Sequence, residues 1–404
     1  MKKFDIPLIY QSGLISRIKE FRKLNDPRKV DYSPTELDFG PVKFLVARHF
    51  GFCYGVENAI DIAYKTIEEN RGKRIYLLSE MIHNPEVNND LTDLGVKFIM
   101  DTFGKMLIDW NELSSDDIVI IPAFGTTMEI EEKLNSIGIN PYRFNTTCPF
   151  VEKVWNRSSS LGNSDYTVII HGKHYHEETR STFSHTIQNG HAVIIRDLEE
   201  AKILSDIILG NVEKDFFYEK FNGRSSSGFD VERDLVKVGI VNQTTMLASE
   251  TEDILKELKT AMIAKYGDAN IDEHFADTRD TLCYATNDNQ KATLSLLELE
   301  SDLAIVVGGY NSSNTSHIVE LLNEKLQTYF ISSPEKIISR DFIQHFLLES
   351  KSEIKTENYL PRTEKINIMI TSGASCPDSI VEKVISKILS FFPNVKNIDD
   401  VFLN

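Results

Sequence analysis

The sequence predicts an α/β fold with mainly parallel sheets, and three observations carry that prediction. From about residue 42 onward, short β-branched runs alternate with segments of helical periodicity. The loop after each run is rich in Gly, Ser, Thr, Asn or His. Three cysteines fall in strand-to-helix loops, one per third of the chain, which points to three similar α/β modules.

Taken in order, residues 1–40 are mixed and charged, with breakers at Asn25-Asp26-Pro27 and Ser33-Pro34, and read as an extension outside the core. KFLVA then leads to RHFGFCYG and the helical VENAIDIAYKTIEEN. RIYLL leads to SEMIHNPEVNNDLTDLG, and DIVIIP to AFGTTMEIEEKLNSIG. YTVII leads to HGKHYHEETRS, and LVKVGIV to NQTTM and a long helical segment. LAIVV leads to GGYNSSNTSHIVELLNEK, and INIMI to TSGASCPDSIVEKVISKILSFF. Val56, Ala59, Ile60, Ala63 and Ile67 recur at helical spacing, as do Ile380, Val381, Val384, Ile385 and Ile388. Residues 210–234 break the pattern and read as an insertion or linker, and 349–363 as a surface connection. The expected organisation is an extension over 1–41 and α/β domains over 42–147, 148–279 and 280–404. The first strand and the Cys53 loop are candidates to pack with the third domain. Ligands of such folds bind at the carboxyl ends of the strands, where every polar loop named here lies.

Composition narrows the function. The chain has 404 residues, 41% apolar and 26% charged, with no apolar run long enough to span a bilayer. Its first residues lack the apolar core of a secretory signal, so a cytoplasmic protein with no membrane partner is expected. A net charge of −17 without a basic block argues against a nucleic-acid partner. An anionic small ligand stays compatible, because backbone N–H groups, hydroxyls and imidazoles bind one locally.

The loop HGKHYHEETRS, residues 171–181, offers His171, His174, His176, Glu177 and Glu178. Those residue types suit a zinc site, acid/base work or only a wet loop. Cys53, Cys148 and Cys283 each precede a helical segment, and Pro149 suits a first helical position. A helix N-terminus favours the thiolate. Three converging thiolates would select zinc or an iron–sulfur cluster, leaving a fourth position for a substrate oxygen. The fourth cysteine, Cys376, reads as a small buried side chain.

The ordered motifs GFCYGVENAI, IHNPEVNNDL, NTTCPFVEKVW, HGKHYHEET, NQTTM, LCYATNDNQ, GGYNSSNTSHI and TSGASCPD carry a resemblance. From about residue 43 to 392 the chain resembles the 4-hydroxy-3-methylbut-2-enyl diphosphate reductases, in their plant and cyanobacterial branch. The resemblance implies three α/β domains in a pseudo-threefold trefoil around a [4Fe–4S] cluster with one iron lacking a protein ligand. It implies removal of the substrate's allylic hydroxyl by two electrons and two protons, giving isopentenyl and dimethylallyl diphosphates in the non-mevalonate pathway. Carried over by residue, Cys53, Cys148 and Cys283 would hold the cluster. His83 and His176 would contact the diphosphate, with Ser312, Ser313, Asn314 and Ser375. Glu178 would relay protons, Thr244 would position the hydroxyl, and His176 would share in catalysis. The electron donor would be ferredoxin or flavodoxin. Phe124 stands where part of the family has a histidine, and Thr126 or Thr127 is a candidate replacement donor. The competing readings are a zinc hydrolase built on the 171–178 loop and a non-catalytic iron–sulfur sensor.

Overall fold

The β-branched runs become strands of three sheets in the computed structural model, which describes residues 4–276 and 281–401. The chain divides into two units. One comprises the chain up to Asp61, Ile82–Asp90 and the chain from Tyr284 onward; the other comprises Ile62–Met81 and Leu91–Cys283.

The first unit is built on a seven-stranded sheet. Its centre is the parallel set Val42–Val46, Ile366–Ser372, Leu303–Val307 and Thr328–Ile331. These strands are buried on both faces, which explains why they read as near-continuous apolar runs. Thr35–Asp38 flanks the set at one edge, and the antiparallel pair Phe342–Leu347 and Ser352–Glu357 at the other. The expected surface connection over 349–363 thus contains an edge strand, mostly exposed.

Two expectations are corrected here. Residues 1–40 do not lie outside the core. Ser12 caps the helix Gly13–Asn25 by accepting from the Ile15 backbone N–H at 2.9 Å, and Leu14, Ile15 and Ile18 are buried in the main core. Leu14, Ile15, Ile18, Phe21 and Leu24 do fall at helical spacing, but the charged residues between them and the breakers that follow mask one short amphipathic helix. The segment 42–147 is also not one contiguous unit. Val42 pairs with Ile366, so the first strand and the Cys53 loop share a unit with the C-terminal third, as does Ile82–Asp90. Parallel neighbours need long crossovers, so adjacency in a sheet does not follow chain order.

The second unit holds two three-stranded parallel sheets. Ile75–Leu77 lies between Lys97–Phe98 and Ile118–Ile120, and Thr167–His171 between Ala192–Ile195 and Val238–Asn242. Three α/β layers are therefore present, distributed over two units. Residues 210–234 are part of the packing, not a linker. Phe217 of the helix Lys214–Lys220 and Phe221 at its C-cap are fully buried, and Phe217 stacks on Phe229 with centroids 4.9 Å apart. Arg224 holds the buried Glu200 carboxylate at 2.7 and 2.9 Å. Phe217→Ala is accordingly expected to cost about 3–5 kcal/mol, measured as a shift of the urea unfolding midpoint. No helix among the described residues is long and apolar enough to cross a membrane.

Candidate functional site

In the first unit the polar loops leave the carboxyl ends of adjacent parallel strands. Cys53 follows Val42–Val46 and immediately precedes the helix Tyr54–Glu69. Ser312 caps the helix Ser313–Asn323, its hydroxyl accepting from the Thr315 N–H at 3.3 Å. Ser375 lies between the strand Ile366–Ser372 and the helix Asp378–Leu389. These loops are tied together by hydrogen bonds. Cys53 N–H donates to the Ala374 carbonyl at 3.2 Å, and Ala374 N–H to Asn314 Oδ1 at 2.9 Å. Ser375 Oγ donates to the His83 carbonyl at 3.2 Å. That carbonyl also lies where a side chain at Gly309 would have to go, so Gly309 is the residue that allows the His83 loop its close approach.

His83, Ser312, Ser313, Asn314 and Ser375 are all buried polar residues. Asn314 Oδ1 is used twice, by Ala374 N–H and by Asn289 Nδ2 at 3.2 Å, while its own Nδ2 is buried with no hydrogen-bond partner. The Asn84 Nδ2 donor is orphaned in the same way. A buried donor left unpaired costs free energy, so orphans of this kind fit an acceptor-rich anion such as a diphosphate. Asn289 is a residue that sequence reading missed; its only signal was its place in LCYATNDNQ. Cys376 is fully buried in the main core, its Sγ donating to the Pro377 carbonyl at 3.6 Å, and burial pushes its thiol up.

The second unit carries the other candidates. Cys148 is the residue before the helix Pro149–Gly162, with Pro149 in the first turn as expected. Its N–H donates to the Ala123 carbonyl at 2.9 Å. Cys283 N–H donates to the Thr244 carbonyl at 3.1 Å. Burial pushes the Cys148 thiol up to about 12; the charges of Cys283 and Glu178 act in the same direction, and Phe150 and Val151 N–H groups oppose them. The helix N-terminus was expected to favour the thiolate. It does act, but desolvation outweighs it. The Cys148 thiol, the Cys283 thiol and the Glu178 carboxylate repel one another when charged, and a bound cationic centre reverses that balance. The donor set therefore fits a thiolate-ligated metal.

Glu178 lies in the first turn of the helix Glu177–Thr186 and is 2% exposed. One carboxylate oxygen accepts from Thr244 N–H at 2.5 Å and the other from Thr244 Oγ1 at 3.0 Å. His176 caps the same helix, its Nδ1 accepting from Glu178 N–H at 3.2 Å. A ring nitrogen that accepts carries no proton, so a proton on this ring resides on Nε2. Phe124 packs edge-on against this ring at 5.6 Å. Thr126 is buried with its hydroxyl unpartnered, whereas Thr127 hydrogen-bonds Glu129.

The other members of the 171–181 loop have separate work. His171 is fully buried, within 3.3 Å of both Asn242 Oδ1 and Thr251 Oγ1. His174 sits edge-on to Tyr175, and burial, aided by Arg224, pushes its imidazole down. Glu177 accepts from Ser79 Oγ at 3.4 Å. Gln243, also missed from sequence, organises the loop: its Oε1 accepts from Lys173 N–H at 3.1 Å and Thr179 Oγ1 at 3.0 Å.

Against known proteins, residues 44–389 match the family model described as LytB protein. A 4-hydroxy-3-methylbut-2-enyl diphosphate reductase of Crocosphaera subtropica is 43% identical over 380 residues, covering 94% of this chain and 89% of the relative. The like-named protein of Gloeobacter violaceus is 41% identical over 390 residues, covering 95% and 88%. A solved (E)-4-hydroxy-3-methyl-but-2-enyl diphosphate reductase, described as the terminal enzyme of the non-mevalonate pathway, superposes with TM-score 0.52 at 26% identity, covering 86% of this chain and 99% of that one. A Plasmodium falciparum structure, TM-score 0.60 at 20% identity and covering 88% and 89%, shares the fold.

Proposed function

The chain belongs to the LytB family, and from that premise we propose that it is an iron–sulfur reductase acting on 4-hydroxy-3-methylbut-2-enyl diphosphate. It takes up two electrons and two protons, releases the allylic hydroxyl as water and yields isopentenyl and dimethylallyl diphosphates. Cys53, Cys148 and Cys283 are the residues that would hold a [4Fe–4S] cluster, one iron being left without a protein ligand. Such a cluster supplies single electrons and a Lewis-acidic position, neither of which a side chain provides.

The chain's own residues bind the substrate and move the proton. The orphaned Asn314 amide and the Ser312, Ser313 and Ser375 hydroxyls, with the His83 and His176 imidazoles, would donate to the diphosphate. Phe124 cannot donate, and the unpartnered Thr126 hydroxyl is the nearby group that can. Glu178, protonated, gives its proton to the departing hydroxyl oxygen, and Thr244 Oγ1 aligns both groups. The observation that carries the reading is this Glu178–Thr244 pair set beside Cys148 and Cys283. A sensor has no use for a proton relay at its thiols. A hydrolase on the histidine loop is disfavoured because it leaves the three cysteines that precede helices without a role. The reading places the enzyme in the cytoplasm with a ferredoxin or flavodoxin as donor.

The test is iron and acid-labile sulfide per chain in protein purified without oxygen, followed by turnover with a low-potential reductant. About four of each is expected for this cluster. Zinc without sulfide would overturn the reading.

A further inference from the structure

We propose that Lys19 is a positioning residue of the diphosphate site: by clamping Asp378 it holds the Gly51–Cys53 turn against the Ser372–Ser375 loop. The inference rests on the functional reading above.

Lys19 lies one residue beyond the buried Ile18 on the helix Gly13–Asn25, so the packing of that helix fixes where its side chain starts. Its Nζ is 2.8 Å from both Asp378 carboxylate oxygens and 5.2 Å from the Phe50 ring centroid. Glu57 also faces this cation. Asp378 opens the helix Asp378–Leu389, which has no side-chain cap of its own. The pair is thus attached directly to the helix that follows Ser375.

The other side of the clamp is the cysteine turn. Gly51 has φ +78°, and any side chain there would collide with the Asp378 carboxylate and come within 3.1 Å of Lys19 Nζ. The turn therefore rests on the ion pair. From it, Gly51 N–H donates to Ser372 Oγ at 3.1 Å and Cys53 N–H to the Ala374 carbonyl at 3.2 Å, returning to the loop that Asp378 terminates. The circuit runs from Lys19 through Asp378 and Gly51 to Ser372 and Ala374, and Ala374 N–H continues to Asn314.

The rest of the N-terminal segment supports the same elements. Tyr10 Oη donates to Asp90 at 2.7 Å on the helix after His83, and its ring meets Phe52 at 5.8 Å. Tyr32 Oη donates to Asp288 at 3.1 Å, next to the Asn289 that orients Asn314. One segment thus touches the carriers of Cys53 and His83 and the helix whose Asn289 orients Asn314. The Lys19 and Asp378 side chains are 38% and 19% exposed, so their attraction adds little to global stability. Its consequence falls on placement, where small displacements of a binding group are costly.

The experiment compares full-length protein, purified without oxygen, as wild type, Lys19→Met, Lys19→Arg, Asp378→Asn and the Lys19→Met/Asp378→Asn double variant. Calorimetric titration with 4-hydroxy-3-methylbut-2-enyl diphosphate, without reductant, reads binding alone; KM, kcat and the unfolding midpoint are measured alongside. Lys19→Met and Asp378→Asn are each expected to raise Kd about fivefold or more, with KM following and kcat changing less. Lys19→Arg restores binding, and the double variant is no worse than either single one, because one interaction is being removed. A Lys19→Met protein that binds like wild type overturns the proposal, whether or not its unfolding midpoint falls. Wild-type protein that does not bind the diphosphate at all instead overturns the functional reading on which it rests.

Discussion

Glu178→Gln is expected to lower kcat by about 10²–10⁴-fold while leaving the Kd for the substrate nearly unchanged, the size expected when a positioned proton donor is lost. The geometry explains why the two effects separate. Both carboxylate oxygens are engaged by Thr244, one by its N–H at 2.5 Å and one by its hydroxyl at 3.0 Å. Glutamine is isosteric: its amide oxygen still accepts from the Thr244 N–H, and the hydroxyl can rotate to accept from the amide nitrogen. The helix start is not disturbed either, since His176 caps it through the Glu178 backbone N–H and not through the carboxyl group. What glutamine cannot do is deliver a proton. Steady-state kinetics with a reduced low-potential dye, together with calorimetric binding, measures both quantities. A kcat within about twofold of wild type would remove Glu178 from the proton path, because general acid catalysis is worth far more than that.

The parts of this molecule that were legible in its sequence are those whose physics is local. Cys148 could be placed at a helix start because Pro149 is tolerated in the first turn and nowhere further in. The central strands showed as apolar runs because both faces of Leu303–Val307 and Thr167–His171 are buried. Illegible parts depend on partners remote in sequence. Phe217 and Phe221 looked like aromatic patches in a charged linker until Phe229 and the core around Leu204 and Ile240 closed on them. The N-terminal helix buries Leu14, Ile15 and Ile18 in a core built largely by the C-terminal third, and its Lys19 meets Asp378 at the other end of the chain. Asn289 and Gln243 act by orienting other side chains, and an amide that orients leaves no spacing rule to read. The histidine loop shows the opposite hazard. Its composition suggested one metal site, yet His171 and His176 have different partners, and only the backbone course separates them.

Cys148→Ser is the substitution expected to have the largest effect, and the structure allows it to be made without harming the fold. Cys148 sits at the N-cap of the helix Pro149–Gly162, where its side chain faces the Phe150 and Val151 N–H groups. Serine is among the preferred residues at that position, so the helix is expected to be as stable with serine as with cysteine, or slightly more so. The backbone contact to Ala123 does not involve the side chain. A hydroxyl, however, is a poor replacement for a thiolate at iron–sulfur centres, which select soft ligands. Iron and sulfide per chain should fall far below wild type, and kcat/KM should drop by more than the about 10–100-fold typical of losing an outer partner of a metal site. Cys376→Ser supplies the contrast. That thiol is fully buried in the main core, so serine there is expected to cost about 1–3 kcal/mol of stability by burying a hydroxyl, with iron and sulfide retained in the folded protein. The two cysteines thus differ in phenotype: one variant folds but loses its iron, together with the stability that the bound cluster adds, and the other keeps its iron while its unfolding midpoint falls. Cys148→Ser protein that keeps full iron, sulfide and turnover would show that the thiol beside Cys283 and Glu178 is not a ligand, and the metal would have to be sought elsewhere in the chain.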